Sequence, residues 1–459
     1  MPGLVHPYIP NSVPAVKQEI LREVGATSAG ELYAEMIPQH LLLNRKMELP
    51  PPISAEGDLK RHVKDILKKN VTGYTSFLGG GCWSHFIPEV CDVIASRSEF
   101  LTAYAGGYYS DLGRFQANWE FQSLICDLLG MEVSGIPTYD WGSAAGNAVR
   151  MASRITGRHI VLAPSTSSPA RLSVIRSFCN PTSMPNAIKV ITVDSNLDGT
   201  MNFEDLNRKL TAKTAAVYIE NPTYLGAIEH QAQEIADISH KAGALLVAGV
   251  DPITLGVLAP PADYCADIAC GDLQPLGIHM QAGGGLSGFI ASQDDPKIVA
   301  EYPLRMLSIT TTTHGEHAFG QAAYERTSYA SREKAKDWVG TTTALHGIIA
   351  AVYLTLLGPH GIREVGEAIL SKSHYAAAKL QEVGATIPYP TFFKEYPLTI
   401  PRNRWSIINK ALLRKGILGP KPLRREFPAL GESALTCVTE IHTKHEIDSF
   451  ADELEAQLQ

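Results

Sequence analysis

ALLVAGVDPITLGVLAPPADYCADIACGDLQPLGIHMQAGGGLSGFI, residues 244–290, decides how the chain is read. Residues 244–250 form an apolar run of strand length, and Lys241-Ala-Gly before it reads as the end of a helix. A run with no polar alternation suits a strand buried on both faces, as in a parallel sheet. Asp251 closes the run. A second short strand is predicted at 266–270, and from Gln274 to Gly288 a loop holds Gly277, Gly283, Gly284, Gly285 and Gly288. This is the layout of a cofactor site with its key residue missing. No lysine occurs between Lys241 and Lys297, so covalent capture of a carbonyl group cannot be anchored in this loop.

Outward from this stretch the pattern alternates. Strands are predicted at 159–163, 187–193, 215–220 and 244–250, with helices at 170–179, 202–210 and 231–242 between them. Such alternation implies parallel pairing with right-handed crossovers, hence a three-layer α/β domain. Ligands in such sheets sit at the carboxyl ends of strands, where Asn221-Pro222-Thr223 and Asp251-Pro252 fall. Upstream, 118–129 reads as an amphipathic helix. Gly142-Ser143-Ala144 lies where a strand gives way to a helix, so its free amides suit a phosphate, although a plain N-cap is the commoner use of such a pair.

Between Thr75 and Gln116, two glycine-rich turns are flanked by Trp83, His85, Tyr104, Tyr108 and Tyr109. Polar tips on aromatic bodies suit a pocket or an interface, and the same residues also suit packed loops. Ahead of them, residues 1–70 read as an arm of short helices, with Ser12 capping 16–24, Thr27 capping 31–36, and a third helix at 54–69 after Pro50-Pro51-Pro52. An arm of this size buries no core of its own and is expected to wrap the main domain or a partner. The large domain spans 71–340 and a smaller C-terminal α/β domain 341–459. Arg332-Glu-Lys-Ala is expected to open a long apolar helix ending at Leu357. Residues 402–425 carry eight basic and no acidic side chains, a solvated loop or a surface for an acidic partner. His314 and His317, three apart with no third ligand in view, make a poor metal set, and none is expected.

A formal net charge of −7 argues against a nucleic-acid footprint. The seven cysteines are scattered with no C-x-x-C pair, which fits reduced thiols and a cytoplasmic location. The start, MPGLVHPYIPNSVP, lacks a cationic segment followed by an apolar core, and no run of about 18 uncharged apolar residues is expected to span a membrane.

FLGGG with His85, SRSEFLTAY, WEFQSLICDLLGMEV, IENPTYLGAIE, the 250–278 stretch, SREKA, LLGPHGI and the GILGP and CVTEIHTKHEID segments together resemble subunit 1, the alpha subunit, of the split glycine dehydrogenase (decarboxylating), the P-protein of the glycine cleavage system. The likeness runs over nearly the whole chain. It implies the pyridoxal-phosphate (PLP) fold type I, in which the strand-end aspartate serves the pyridine nitrogen and a lysine in the following loop holds the coenzyme. Gln274-Pro275 stands near where that lysine belongs. The likeness further implies a heterodimer that pairs into a heterotetramer, with PLP on a lysine-bearing beta subunit, glycine as the small amino-acid substrate, and a lipoyl carrier protein receiving the aminomethyl group.

On this reading His85, Tyr104, Tyr108, Asp111 and Arg332 are the substrate-pocket candidates, and Ser143, Asp251 and Gln274 mark a vestigial cofactor position. Three segments depart from the family pattern: Ala105 to Asp111, Lys336 to Thr343, and Gly283 to Gly288. They leave open a paralogous PLP-enzyme subunit for another amino acid or amine. A catalytically silent scaffold is the third reading.

Overall fold

The structure, a computed structural model, describes residues 13–43, 45–101, 112–181, 187–280, 287–337, 339–340, 342–400 and 404–458. The chain divides into two compact units, Met1–Thr72 and Gly73–Gln459. The first holds helices α1 (Pro14–Glu23), α2 (Ala29–Met36) and α3 (Glu56–Leu67). Among its described residues only Leu21 is buried. The expected caps differ. Val13 is the N-cap of α1, with Pro14 opening the helix, and Ser12 lies outside the described residues. Ser28, not Thr27, is the N-cap of α2, while the Thr27 amide donates to the Glu31 carboxylate at 2.9 Å.

In the second unit a seven-stranded sheet carries the fold. Its strands are β1 (Val133–Ser134), β2 (Ile160–Pro164), β3 (Lys189–Val193), β4 (Thr214–Asn221), β5 (Leu245–Val250), β6 (Ile268–Asp272) and β7 (Gly288–Ser292). Their spatial order is β1-β7-β6-β5-β4-β2-β3. Pairing is parallel from β3 through β6, whereas β7 and β1 are antiparallel to their neighbours. The expectation of parallel pairing therefore holds for five strands. The loop between β6 and β7 forms no crossover helix among its described residues, and the chain comes back alongside β6 in the opposite direction.

Alternation along the strands feeds two separate cores. Val217, Ile219, Leu246 and Ala248 face one, with Phe121, Ile125 and Leu129 of α5 (Leu112–Leu129). Ala216, Tyr218 and Val247 face the other, with Ala144, Ala145, Ala148 and Ala152 of α6 (Trp141–Thr156). Residues two apart share a face of a strand, so fully apolar strands serve both layers. Helix α4 (Glu89–Ala95) precedes α5, and α7 (Pro169–Cys179), α8 (Phe203–Lys209) and α9 (Ala232–Lys241) connect the parallel strands.

Arg332–Lys334 forms a short 3₁₀ turn, and the long helix α10 starts only at Ala344, running to Glu382 with a break at Gly358. Val339, Gly340 and the threonines around 342–343 disfavour an earlier start, and Pro359 disfavours helical backbone at the residue before it. Residues 344–362 carry no charged side chain, contrary to expectation, and α10 is long and apolar enough to cross a membrane by length and composition. Here Ile348, Ile349, Ala350, Tyr353 and Leu354 are buried, as expected of a core helix, and all but Ile348 belong to the α5-side core.

A three-stranded antiparallel sheet follows, with β12 (Ser433–Cys437) between β10 (Glu395–Thr399) and β11 (Lys421–Pro422) when β8 (Met306–Thr311) and β9 (His317–Ala322) name the intervening hairpin. It shares a third core with α11 (Trp405–Arg414) and α12 (Lys444–Leu458), centred on Tyr396, Trp405, Leu412 and Phe450.

Candidate active site

The carboxyl ends of β4, β5 and β6 place Asn221, Asp251 and Asp272 along one edge of the sheet. Asp251 accepts from the Ile253 amide at 3.2 Å, which fixes its side chain at the mouth of β5. Its other oxygen lies 2.6 Å from the Lys394 ammonium, and both side chains are at most 5% exposed. Lys394 is the residue immediately before β10, so a cation from the C-terminal sheet enters the edge of the large sheet. Its Nζ also lies 3.6 Å from the centroid of the Trp83 ring and 3.0 Å from His85 Nε2. The lysine thus ends on a carboxylate, a ring nitrogen and an aromatic face, the partners a buried ammonium requires.

His85 is held from the far side by Glu440, whose carboxylate lies 2.8 Å from His85 Nδ1 and also accepts from the Phe86 amide at 2.6 Å. Burial, and then the neighbouring ammonium, push the imidazole below its ordinary range, so it is neutral, donating through Nδ1 and accepting through Nε2. Burial raises the Glu440 carboxyl, but the hydrogen bonds from His85 and Phe86 outweigh it and hold the group well below the usual carboxylate range. His85 was expected to face a substrate. Both its ring nitrogens are instead committed within this chain.

A second cation lies beside the first. Arg171 of α7 stacks on the Trp141 ring at 3.5 Å and lies 2.7 Å from Glu220 of β4, whose side chain is completely buried. Tyr218 donates to the same Glu220 oxygen at 3.1 Å. Asp272, at the end of β6, is pushed up to about 7 by burial, against the opposing effects of the Gln274 amide at 2.8 Å and of Arg171.

The remaining marked residues sit close by. Gln274 Oε1 accepts from the Trp83 amide at 3.2 Å, and its Nε2 donates to the carbonyls of Trp83 at 3.0 Å and Ile278 at 3.1 Å. Ser143 belongs to a capping box: its amide donates to Asp140 Oδ1 at 2.6 Å, and its Oγ accepts from the Asp140 amide at 3.0 Å. The phosphate role considered for Ser143 is corrected by that neighbour, because Asp140 places a carboxylate at the helix start where an anion would bind. Arg332 is exposed on its 3₁₀ turn and is not among the residues lining this centre. Tyr104, Tyr108 and Asp111 lie outside the described residues, as do Gly283, Gly284, Gly285 and Trp338.

Glycines bring the first loop against this centre. The Gly80 amide donates to Glu395 Oε1 at 2.7 Å with φ of +119°, a conformation that favours glycine. Burial raises the Glu395 carboxyl, with the Gly80 hydrogen bond opposing it.

Lys394, Arg171, Glu220, Asp272 and Glu440 were not anticipated. One signal was available: Lys394 and Glu395 interrupt the apolar segment TFFKEYPL, and charges inside a strand-like run call for partners.

The sheet, the acid at the end of β5 and the loop after β6 define the PLP-dependent fold type I, a class whose coenzyme would lie between Asp251, the α6 start and position 274. The residues present do not fit it. The aspartate is paired with Lys394, the helix start with Asp140, and no lysine occurs between Lys241 and Lys297. The cavity left among Trp83, Trp141, Arg171, Asp251 and Lys394 is about 20 Å³. That is room for about one water, against about 300–1,000 Å³ in ordinary cofactor sites.

The family model for the glycine cleavage system P-protein matches residues 6–454. The chain belongs to that family. It is 36% identical to a probable glycine dehydrogenase (decarboxylating) subunit 1 of Staphylothermus marinus, over 98% of this chain and 97% of the relative. To the same-named protein of Aeropyrum pernix it is also 36% identical, over 99% of each. Among solved structures, a glycine decarboxylase (P-protein) of the glycine cleavage system in inhibitor-bound form superposes with a TM-score of 0.85 at 33% identity, covering 98% of this chain and 100% of that one. A NifS-like protein, at 15% identity and a TM-score of 0.63, shares the fold alone.

Proposed function

We propose that this chain is the alpha subunit of a heteromeric PLP-dependent glycine decarboxylase, working with a beta subunit that carries the Schiff-base lysine and the coenzyme. The observation that carries this reading is the closure of its own coenzyme position by Lys394 and Asp251. A subunit of a PLP-dependent family that fills its own site needs a companion to supply the reagent, and the name subunit 1 given to its relatives is consistent with one.

Within this reading the chain is organised as an arm (1–70), a large domain (71–340) and a small domain (341–459). The arm presents Val24, Tyr33, Met36, Leu41, Leu43, Met47 and Leu49 to solvent, an apolar content suited to wrapping a companion. Pairing to a heterotetramer, a cytoplasmic location and delivery of the aminomethyl group to a lipoyl carrier belong to the same proposal. When bound to the companion, the coenzyme supplies the electron sink for decarboxylation. This chain contributes walls that exclude water and orient the carboxylate. Tyr104, Tyr108, Asp111 and Arg332 are the side chains assigned to those walls.

The test is carbon dioxide exchange into glycine, measured with each chain alone and with both combined. Exchange is expected only from the pair, and exchange by this chain alone overturns the reading. The altered segment from Ala105 to Asp111 favours a second reading, a companion acting on another amino acid or amine. A complex that binds PLP yet exchanges no label with glycine supports it.

A further inference from the structure

The mismatch between this chain and the coenzyme of its fold class is an organised one. Four side chains from four separate stretches converge: Asp251 from the end of β5, Lys394 from just before β10, His85 from the loop before α4, and Glu440 after β12. Every buried charge among them has a counter-charge or a hydrogen bond, which chance loss of a binding site would not require. The family likeness gives the strand-end aspartate the role of serving the coenzyme's pyridine nitrogen. Here the same carboxylate pairs with a protonated amine lying over the Trp83 ring.

We infer that the Lys394 ammonium is a built-in substitute for the coenzyme's pyridinium, making the centre self-liganded and pinning the C-terminal sheet to the edge of the large sheet. Occupied in this way, the chain does not compete with its companion for PLP. Nor does Lys394 act as a displaced Schiff-base residue. An amine held by the carboxylate that takes the ring nitrogen stands at the opposite end of the ring from the aldehyde-bearing carbon, which is para to that nitrogen.

The inference predicts that the centre, once emptied, selects a small organic cation. Lys394→Ala removes three methylenes and the ammonium, the atoms of propylammonium. The purified full chain carrying Lys394→Ala is expected to unfold several degrees earlier than the natural chain. Millimolar propylammonium chloride is expected to recover much of that loss, while 1-propanol at equal concentration, of the same size and uncharged, recovers none.

A second construction covers the case in which Lys394→Ala does not fold. Lys394→Met combined with Asp251→Asn replaces the ion pair by neutral groups of similar volume, and it is expected to unfold later than either single change. An amine that does no more than the alcohol, or a double variant no more stable than the weaker single one, overturns the inference. Incubating the natural chain with PLP, reducing with borohydride and finding the coenzyme fixed on Lys394 by peptide mass also overturns it.

Discussion

Gln274 grips the backbone of Trp83 on both sides of its α-carbon, accepting from its amide at 3.2 Å and donating to its carbonyl at 3.0 Å. The family likeness puts a lysine near position 274, and in this chain that position fastens the first glycine-rich loop to the end of β6. Gln274→Lys therefore does not restore a coenzyme site. It exchanges three hydrogen bonds for a buried ammonium in a region with room for about one water. The expected outcome is a stability loss of about 2–4 kcal/mol in urea unfolding and no visible absorbance band on adding PLP. A variant that gained both the band and a reducible bond at position 274 would show the centre to be open.

Asp272 titrates in a range where few carboxyls do. Its folded value of about 7 lies above that of an unfolded aspartate, so the folded chain holds the proton more tightly. The stability it contributes is complete below the unfolded value, near 4, and is lost as pH rises through about 7. Asp272→Asn keeps an oxygen for the Gln274 amide and removes the titration. The natural chain is expected to lose stability between about pH 4 and 7 with a slope that the variant lacks, as followed by thermal unfolding across buffers. Parallel curves for the two proteins would place the proton elsewhere.

Much of this was readable in advance because burial leaves a pattern. Strands β2 to β5 lie within two residues of the predicted limits, since apolar runs bounded by helix ends have few other readings. Asp251 was identifiable as the acid that closes an apolar strand, and it follows the last residue of β5 directly. Lys394 was not, because its meaning depends on a contact with a residue 143 positions earlier in the chain, and no local periodicity encodes such a pair. His85 was singled out for the right loop and the wrong neighbour: its residue type marks a polar centre, but only the fold reveals that Glu440 and Lys394 use both ring nitrogens.

Arg171 and Glu220 make the second buried ion pair of this edge, at 2.7 Å. Removing one partner of such a pair costs about 3–5 kcal/mol, because the other charge is left without compensation. Arg171→Met is expected to fall in that range by chemical denaturation. Arg171→Met with Glu220→Gln is expected to regain a substantial part. A double variant as unstable as the single one would mean that Arg171 acts through its stacking on Trp141 rather than through its charge.

Gly226 sits against the backbone that carries Lys394 into the centre. It has a φ of +92°, and a β-carbon added there would lie 1.9 Å from the Glu395 carbonyl oxygen, so Gly226→Ala has to displace the start of β10. Gly157 supplies the control: its φ is +65°, it closes α6, and an added β-carbon meets nothing within 4 Å. Gly157→Ala therefore carries only the left-handed backbone penalty of about 1–2 kcal/mol. Gly226→Ala adds a backbone collision to that penalty and is expected to exceed about 3 kcal/mol. It should also weaken the coupling between Lys394 and Asp251, so that the Lys394→Met change costs less in its presence than in the natural chain. Denaturant titrations of the natural chain, the two glycine variants, the Lys394→Met variant and the Gly226→Ala, Lys394→Met combination measure both effects. Equal losses for the two glycine changes would show that β10 yields freely and that the pin between the sheets is loose.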